Sequence, residues 1–177
     1  LYFVYFWYVR ILSFMIIRKA ELNNLDSIVK IFEHARNYMK ENNNPNQWGD
    51  NHPPTSLIEE DIKNSIGYVC LDNENNIIGY FCFYVGIEED YNEIYEGNWL
   101  NDREYAVIHR IAVMSNQKGV GGFCMRFCFD KFKNIRIDTG KDNIPMQKLL
   151  KKEGYIKCGI IKIRRNGGER IAFQKTE

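Results

Sequence analysis

The chain has no excess of one charge, no uninterrupted apolar run of membrane length and no cysteines at metal-binding spacing. Each absence removes a class of function. Lysine and arginine number 24 against 23 aspartate and glutamate, a formal net charge of +1. Bulk electrostatic attraction to nucleic acid is therefore not expected. The five cysteines (70, 82, 124, 128 and 158) are odd in number and irregular in spacing. They form no C-x-x-C pair and have no histidine at zinc spacing, so they read as reduced thiols of a cytosolic protein. Cys124 and Cys128 lie one helical turn apart, which suits a buried helix face. No G-x-x-x-x-G-K-[ST] run occurs, which removes the P-loop. There is no internal repeat, low-complexity tract or linker.

The apolar run at the start, Leu1 to Ile17, contains Arg10 and falls short of the roughly 20 residues of a membrane span. It also lacks the basic head and small-residue cleavage site of a signal peptide. We expect Met15 to be the natural start and residues 1–14 to be an aromatic extension not native to the protein. An added strand or a partner-binding arm is the alternative, and a membrane anchor the least favoured. Residues 15–177 are expected to form one domain, since a chain of 177 residues with 45% apolar content can bury a full core.

Periodicity orders the elements. Ile16 to Lys19 reads as a strand. Asn23, Asn24 or Asp26 caps a helix running to Lys40, with Leu25, Ile28, Val29, Ile31, Phe32, Ala35 and Met39 as its apolar stripe. A loop rich in Asn, Gly and Pro follows, and then a short helix capped by Thr55 or Ser56. Strands are expected at 66–71, 77–87 and 104–113, the first two joined as a hairpin. A helix over 121–132, a strand over 135–138 and a helix from Asn143 to a terminating Gly154 come next. A last hairpin turns at Asn166-Gly-Gly168. The order β-α-α-β-β-β-α-β-α-β-β makes the chain mixed α/β.

The most telling stretch runs from His109 to Gly122. An apolar strand enters a basic, glycine-rich turn, and a helix opens at once. Gly119, Val120, Gly121 and Gly122 leave backbone N–H groups open at a helix start, a cradle for phosphate or pyrophosphate. A dinucleotide fingerprint fits poorly, because Cys124 stands where its third glycine belongs. The pattern [QR]-x-x-G-x-[GA] fits Asn116 to Gly121 except at its first position.

With Ile135 to Thr139 as a neighbouring strand, and Asn143 to Tyr155 similar to a helix of the form Asn-x-x-(small)-x-x-x-Tyr-x-x-x-Gly-(Phe/Tyr) except for Leu150 at its Tyr, the chain resembles the GNAT superfamily of N-acetyltransferases over residues 15–177. The resemblance implies a mostly antiparallel central sheet with a splayed parallel strand pair, flanked by about four helices. It implies acetyl-CoA as cosubstrate and no metal. Its pyrophosphate would lie on the amides of 118–123, and its pantetheine against Ile111, Ala112, Val113 and Asn143. The reaction implied is direct acetyl transfer to a primary amine of a small molecule, or of a peptide. The expected protein is cytoplasmic, without nucleic-acid or membrane partners, and a homodimer is one open assembly.

His109 is the candidate base, since histidine titrates near neutrality and sits on the implied cofactor strand. Strand alternation puts it on one face with Val107, Ile111 and Val113. A structural histidine is the competing reading. His34 and His52 are poorer choices. The family's tyrosine position is Leu150 here, which cannot donate a proton. Tyr155 is the replacement acid we select, with Cys158 next. Leu150 also favours a rival, a CoA-binding module of the same fold without turnover. Glu88, Glu89, Asp90, Glu93 and Glu96, interleaved with Tyr91, Tyr95 and Trp99, either border the acceptor cleft or form a solvated loop. Trp48 is either a cleft wall or a loop anchor. Alternation puts Arg110 on the face opposite His109, where it is expected to pair with Asp138 or Glu104 across the sheet.

Overall fold

The computed structural model describes residues 15–114, 118–164 and 166–177. The expectations for residues 1–14, and the departure at Asn116, fall outside the described residues.

The elements follow the expected order. They are β1 (Ile16–Lys19), α1 (Leu25–Glu41), α2 (Thr55–Lys63), β2 (Gly67–Leu71), β3 (Ile77–Val85), β4 (Ala106–Val113), α3 (Val120–Lys131), β5 (Asn134–Thr139), α4 (Ile144–Lys152), β6 (Ile156–Lys162) and β7 (Glu169–Thr176). Single 3-10 turns precede α1 and follow β3. The apolar stripe of α1 is buried at Ile28, Ile31, Phe32 and Ala35. Helix α2 starts at Thr55 itself, with Pro54 at the cap and no side-chain cap bond, so Thr55 and Ser56 do not cap it. Asn143 caps α4 by accepting from the Met146 N–H at 3.2 Å, and Gly154 ends it at φ 83°.

One seven-stranded sheet has the order β1-β2-β3-β4-β5-β7-β6. Every neighbouring pair is antiparallel except β4–β5. That parallel pair is matched only at Ala106–Ile135 and Val107–Arg136. Beyond Val107 the two strands part, and a cleft opens between them. Helices α1 and α2 cover one face of the sheet, over Val69, Tyr80 and Ala112. Helices α3 and α4 cover the other, over Phe81, Phe83, Ile108 and Ile137.

The register of β3 and β4 slips between Tyr80 and Cys82, where one residue of β3 faces two of β4. Arg110, at φ 53°, sits at this bulge. Alternation therefore breaks. Val107, His109, Arg110 and Ala112 share the α1/α2 face, while Ile111 and Val113 join Ile108 on the α3/α4 face. The expectations that His109 shares a face with Ile111 and Val113, and that Arg110 lies on the face opposite His109, are corrected by this bulge.

Candidate active site

The cleft between β4 and β5 has a volume of about 310 Å³. Its walls include Ile108, His109, Arg110 and Ile111 of β4, and Ile137, Asp138 and Thr139 of β5. Gln47, Trp48 and His52, from the loop between α1 and α2, close one side. Glu88 and Asp90, from the connection after β3, close another.

His109 is held between two carboxylates. Its Nε2 lies 2.8 Å from Glu88 Oε2, and its Nδ1 lies 3.9 Å from Asp138 Oδ1. Both carboxylates are held in turn by tyrosines: Tyr84 donates to Glu88 at 2.6 Å, and Tyr91 to Asp138 at 2.8 Å. Burial raises the Glu88 pKa, but hydrogen bonds from His109 and Tyr84, the His109 charge and the Asp90 N–H outweigh it. The result is a carboxyl at about 2. Burial, and then the Asp138 carboxylate, drive the Tyr91 phenol well above its ordinary value, so it stays a donor.

Arg110 points to the same face but is spent elsewhere. Its Nε and one terminal nitrogen meet Asp61 of α2 at 2.8 and 2.6 Å, and Tyr80 donates to the same carboxylate at 2.9 Å. It pairs with neither Asp138 nor Glu104, because the bulge turns it toward α2.

The glycines of the turn have different structural roles. Gly119 caps α3 in the left-handed region, at φ 88°. Gly121 and Gly122 are buried packing residues. A Cβ on Gly121 would come within 2.9 Å of Leu149 Cδ2, and one on Gly122 would strike Glu153 and Arg126. They let α3 lie close to α4. The Phe123 N–H bonds to Gly119 O inside the helix at 3.0 Å, so it leaves the cradle. The N–H groups of Val120, Gly121 and Gly122 belong to the first turn, which has no carbonyls ahead of it. Lys118 is exposed beside them. A second, more apolar cavity of about 290 Å³ is lined by Ile111, Ala112, Val113, Asn143, Met146 and Leu149, among others. Asn143 borders both cavities and also donates to Gln47 at 3.1 Å.

Tyr155 does not reach the cleft. It is buried in the α3/α4 core at 4% exposure, and its hydroxyl has no hydrogen-bond partner among the described residues. Burial raises its pKa, which holds the proton in place. Leu150 is fully buried in the same core. Cys158 bonds to Ile156 O on β6, and burial raises its thiol as well. Within the acidic connection, Glu88 and Asp90 line the cleft, Glu89 and Glu93 line an outer hollow with Lys162 and Arg164, and Tyr91 is a buried anchor. Trp48 is both wall and anchor, packed edge-on to Phe32 at 5.5 Å.

Sequence reasoning did not single out Gln47, Glu88 or Thr139. Gln47 ties the α1–α2 loop to Gly140 N and Asn143. Glu88 was one acid among five, with nothing in its spacing to mark it. Thr139 lines the cleft at 1% exposure, and its Oγ1 has no partner among the described residues.

The single, splayed parallel pair in an otherwise antiparallel seven-stranded sheet is the architecture that the resemblance implied. The chain belongs to the acetyltransferase (GNAT) family, whose sequence model matches residues 29–155. A GNAT-family acetyltransferase from Streptococcus agalactiae 2603 is 31% identical, with a TM-score of 0.84 over 92% of this chain and 95% of its own. A phosphinothricin acetyltransferase of the superfamily from Sinorhizobium meliloti, solved with acetyl-CoA, has 13% identity and a TM-score of 0.60 over 91% and 87%. The NatC complex, solved with Gag peptide and CoA, has 14% and 0.61 over 92% and 98%. The last two share the fold. No curated protein matches the sequence. Among the described residues, no helix is long and apolar enough to cross a membrane, and no cluster of His, Cys, Asp and Glu is suited to a metal ion.

Proposed function

We propose that this acetyltransferase moves the acetyl group of acetyl-CoA directly onto a primary amine of a small molecule, with His109 as the base. The observation that carries this reading is His109 set in the cleft against Glu88, with Nδ1 turned toward Asp138.

The residues present fit the cosubstrate. The first-turn amides of Val120 to Gly122 suit a pyrophosphate. The β5-facing edge of β4, unpaired with β5 beyond Val107 in the described residues, suits an arm that carries amides. The buried Thr139 hydroxyl needs a hydrogen-bond partner, and a polar arm in the splay would supply one. Acetyl-CoA, when bound, supplies an activated thioester acetyl group.

The chain's own residues then handle the amine and its proton. An incoming ammonium meets Glu88, Asp90 and Asp138, which favour the cation electrostatically. With Nε2–H donating to Glu88, the Nδ1 lone pair of His109 is the basic site. The 3.9 Å gap to Asp138 is too long for a hydrogen bond, so Nδ1 remains open to the cleft. Once Nδ1 takes the proton, the imidazolium lies between two carboxylates, which stabilise it. Tyr84 and Tyr91 keep those carboxylates in position. The chain places no acid at Leu150, and a thiolate leaving group needs little help near neutral pH.

A cleft of about 310 Å³ lies at the small end of ligand sites, which supports a small acceptor over a long peptide. A CoA-binding module without turnover is the second reading, favoured by Leu150. Release of free thiol from acetyl-CoA against a panel of amines separates the two. Amine-dependent thiol release with acetylated product supports transfer. Tight CoA binding with no turnover on any amine supports the module.

A further inference from the structure

We infer that Arg170 selects an acceptor bearing a carboxylate beside its primary amine, so that the substrate class is a free amino acid. This rests on the acetyl-transfer reading of the same cleft.

The charges lining the cleft are unequally spent. Glu88, Asp90 and Asp138 are acidic, and His109 is shared between two of them. Asp90 accepts from the Arg164 N–H at 2.9 Å. Arg110 is neutralised by a bidentate pair with Asp61. Arg170 remains. Its guanidinium donates to two backbone carbonyls, Glu169 O at 3.1 Å and Gln47 O at 3.3 Å. It makes no ion pair with a carboxylate among the described residues. An arginine carries five N–H donors, so most of its fork is available.

Its place in the sheet is defined by register. Ala172 of β7 pairs with Asp138 of β5. Arg170 is two residues along and therefore on the same face, diagonal to Asp138 with roughly 7–8 Å between the Cα atoms. The cleft thus has an acidic end, at Glu88, His109 and Asp138, and a cationic end at Arg170. A zwitterion with its ammonium at the first and its carboxylate at the second satisfies both. Arg170 is not needed to hold the α1–α2 loop, because the Gln47 side chain already bonds to Gly140 N and Asn143. A planar fork that matches a carboxylate in two bonds is the chemistry an anion-selecting residue requires. A peptide N-terminus, which has an amide in place of that carboxylate, would leave Arg170 unanswered.

The test uses the full chain, acetyl-CoA and the standard L-amino acids, each beside its own carboxamide. Acetylation is followed as thiol release, and binding by calorimetry on the CoA-loaded protein. For the best acceptor, kcat/KM for the acid should exceed that for the amide by about 10- to 100-fold, mainly through KM. R170Q should bring that ratio to within about threefold of unity, and R170K should keep part of the preference through its charge alone. Equal rates for acid and amide in the wild type, preference for the amide or for a peptide N-terminus, or an equal loss on both acceptors in R170Q would overturn the inference. If no amine is acetylated, it is the transfer reading that fails. The calorimetric ratio then decides on Arg170 separately: tighter binding of acid than amide, lost in R170Q, supports it, and equal binding of the pair, or no binding of any acid, overturns it.

Discussion

The two faces of β4 do different work. Toward α3 and α4 it presents Ile108, Ile111 and Val113 to the apolar core that also holds Leu150 and Tyr155, with Ile111 and Val113 at its partly open margin. Toward α1 and α2 it presents His109 and Arg110 in succession, each bonded to a carboxylate. Regular alternation would send one of these two side chains into the apolar core, where an unpaired charge is costly. The bulge at Arg110 keeps both on the polar face. The same division separates two tyrosines. The Tyr91 hydroxyl bonds to Asp138 at the cleft, and the Tyr155 hydroxyl is sealed in the core without a described partner. Proton chemistry belongs to one face and packing to the other.

The largest effect is expected from breaking the polar face at its centre. H109A should lower kcat/KM by about 10²- to 10⁴-fold while the fold persists, measured as acetyl-dependent thiol release with circular dichroism as control. Arg110 should act on stability. R110M leaves the Asp61 carboxylate, at 3% exposure, with no cation and should cost about 3–5 kcal/mol in urea unfolding. Replacing both partners by apolar residues, as D61L with R110M, should recover much of that loss. At the helix start, G119A forces a Cβ into a left-handed conformation and should cost about 1–2 kcal/mol.

Glu88 gives a signed pH dependence. Its folded value of about 2 lies below its ordinary 4.5. Its contribution to stability is therefore fully present above about pH 4.5 and is lost as pH falls toward 2. E88Q should lower the urea midpoint at neutral pH, and the gap from wild type should close over that acid window. The smallest effect is expected on the apolar face. Y155F removes a hydroxyl with no described partner, so stability should hold or rise by up to about 1 kcal/mol and activity should stay within about twofold. A large loss of activity in Y155F would return that residue to the mechanism and undo the contrast between the faces.

Much of the fold, but not this division, was readable in the sequence. Helical and strand periodicity ordered every element, because each buries one face and the pattern repeats along it. The glycine turn marked the start of α3, and Asn143 marked that of α4. The resemblance pointed to the splay. The bulge was not readable, since one extra residue in a strand of Val, Ile and Ala leaves no mark in composition. Missing it put His109 on one face with Ile111 and Val113. Arg110 and Asp61 lie 49 positions apart, and their pairing depends on how α2 packs on the sheet. Glu88 could not be told from its acidic neighbours until the connection after β3 folded back over His109. Tyr155 lies near enough in sequence to Leu150 to suggest a replacement acid, yet its chain position after α4 turns it inward.

The central claim is that His109, held by Glu88, takes the proton from the amine. The pH dependence of kcat/KM for wild type and H109Q on the best amine acceptor tests it most directly. The account predicts that the wild-type rate falls on the acid side, and that this limb is lost in a much slower H109Q enzyme. An H109Q profile that keeps the wild-type rate and the same acid limb would contradict it.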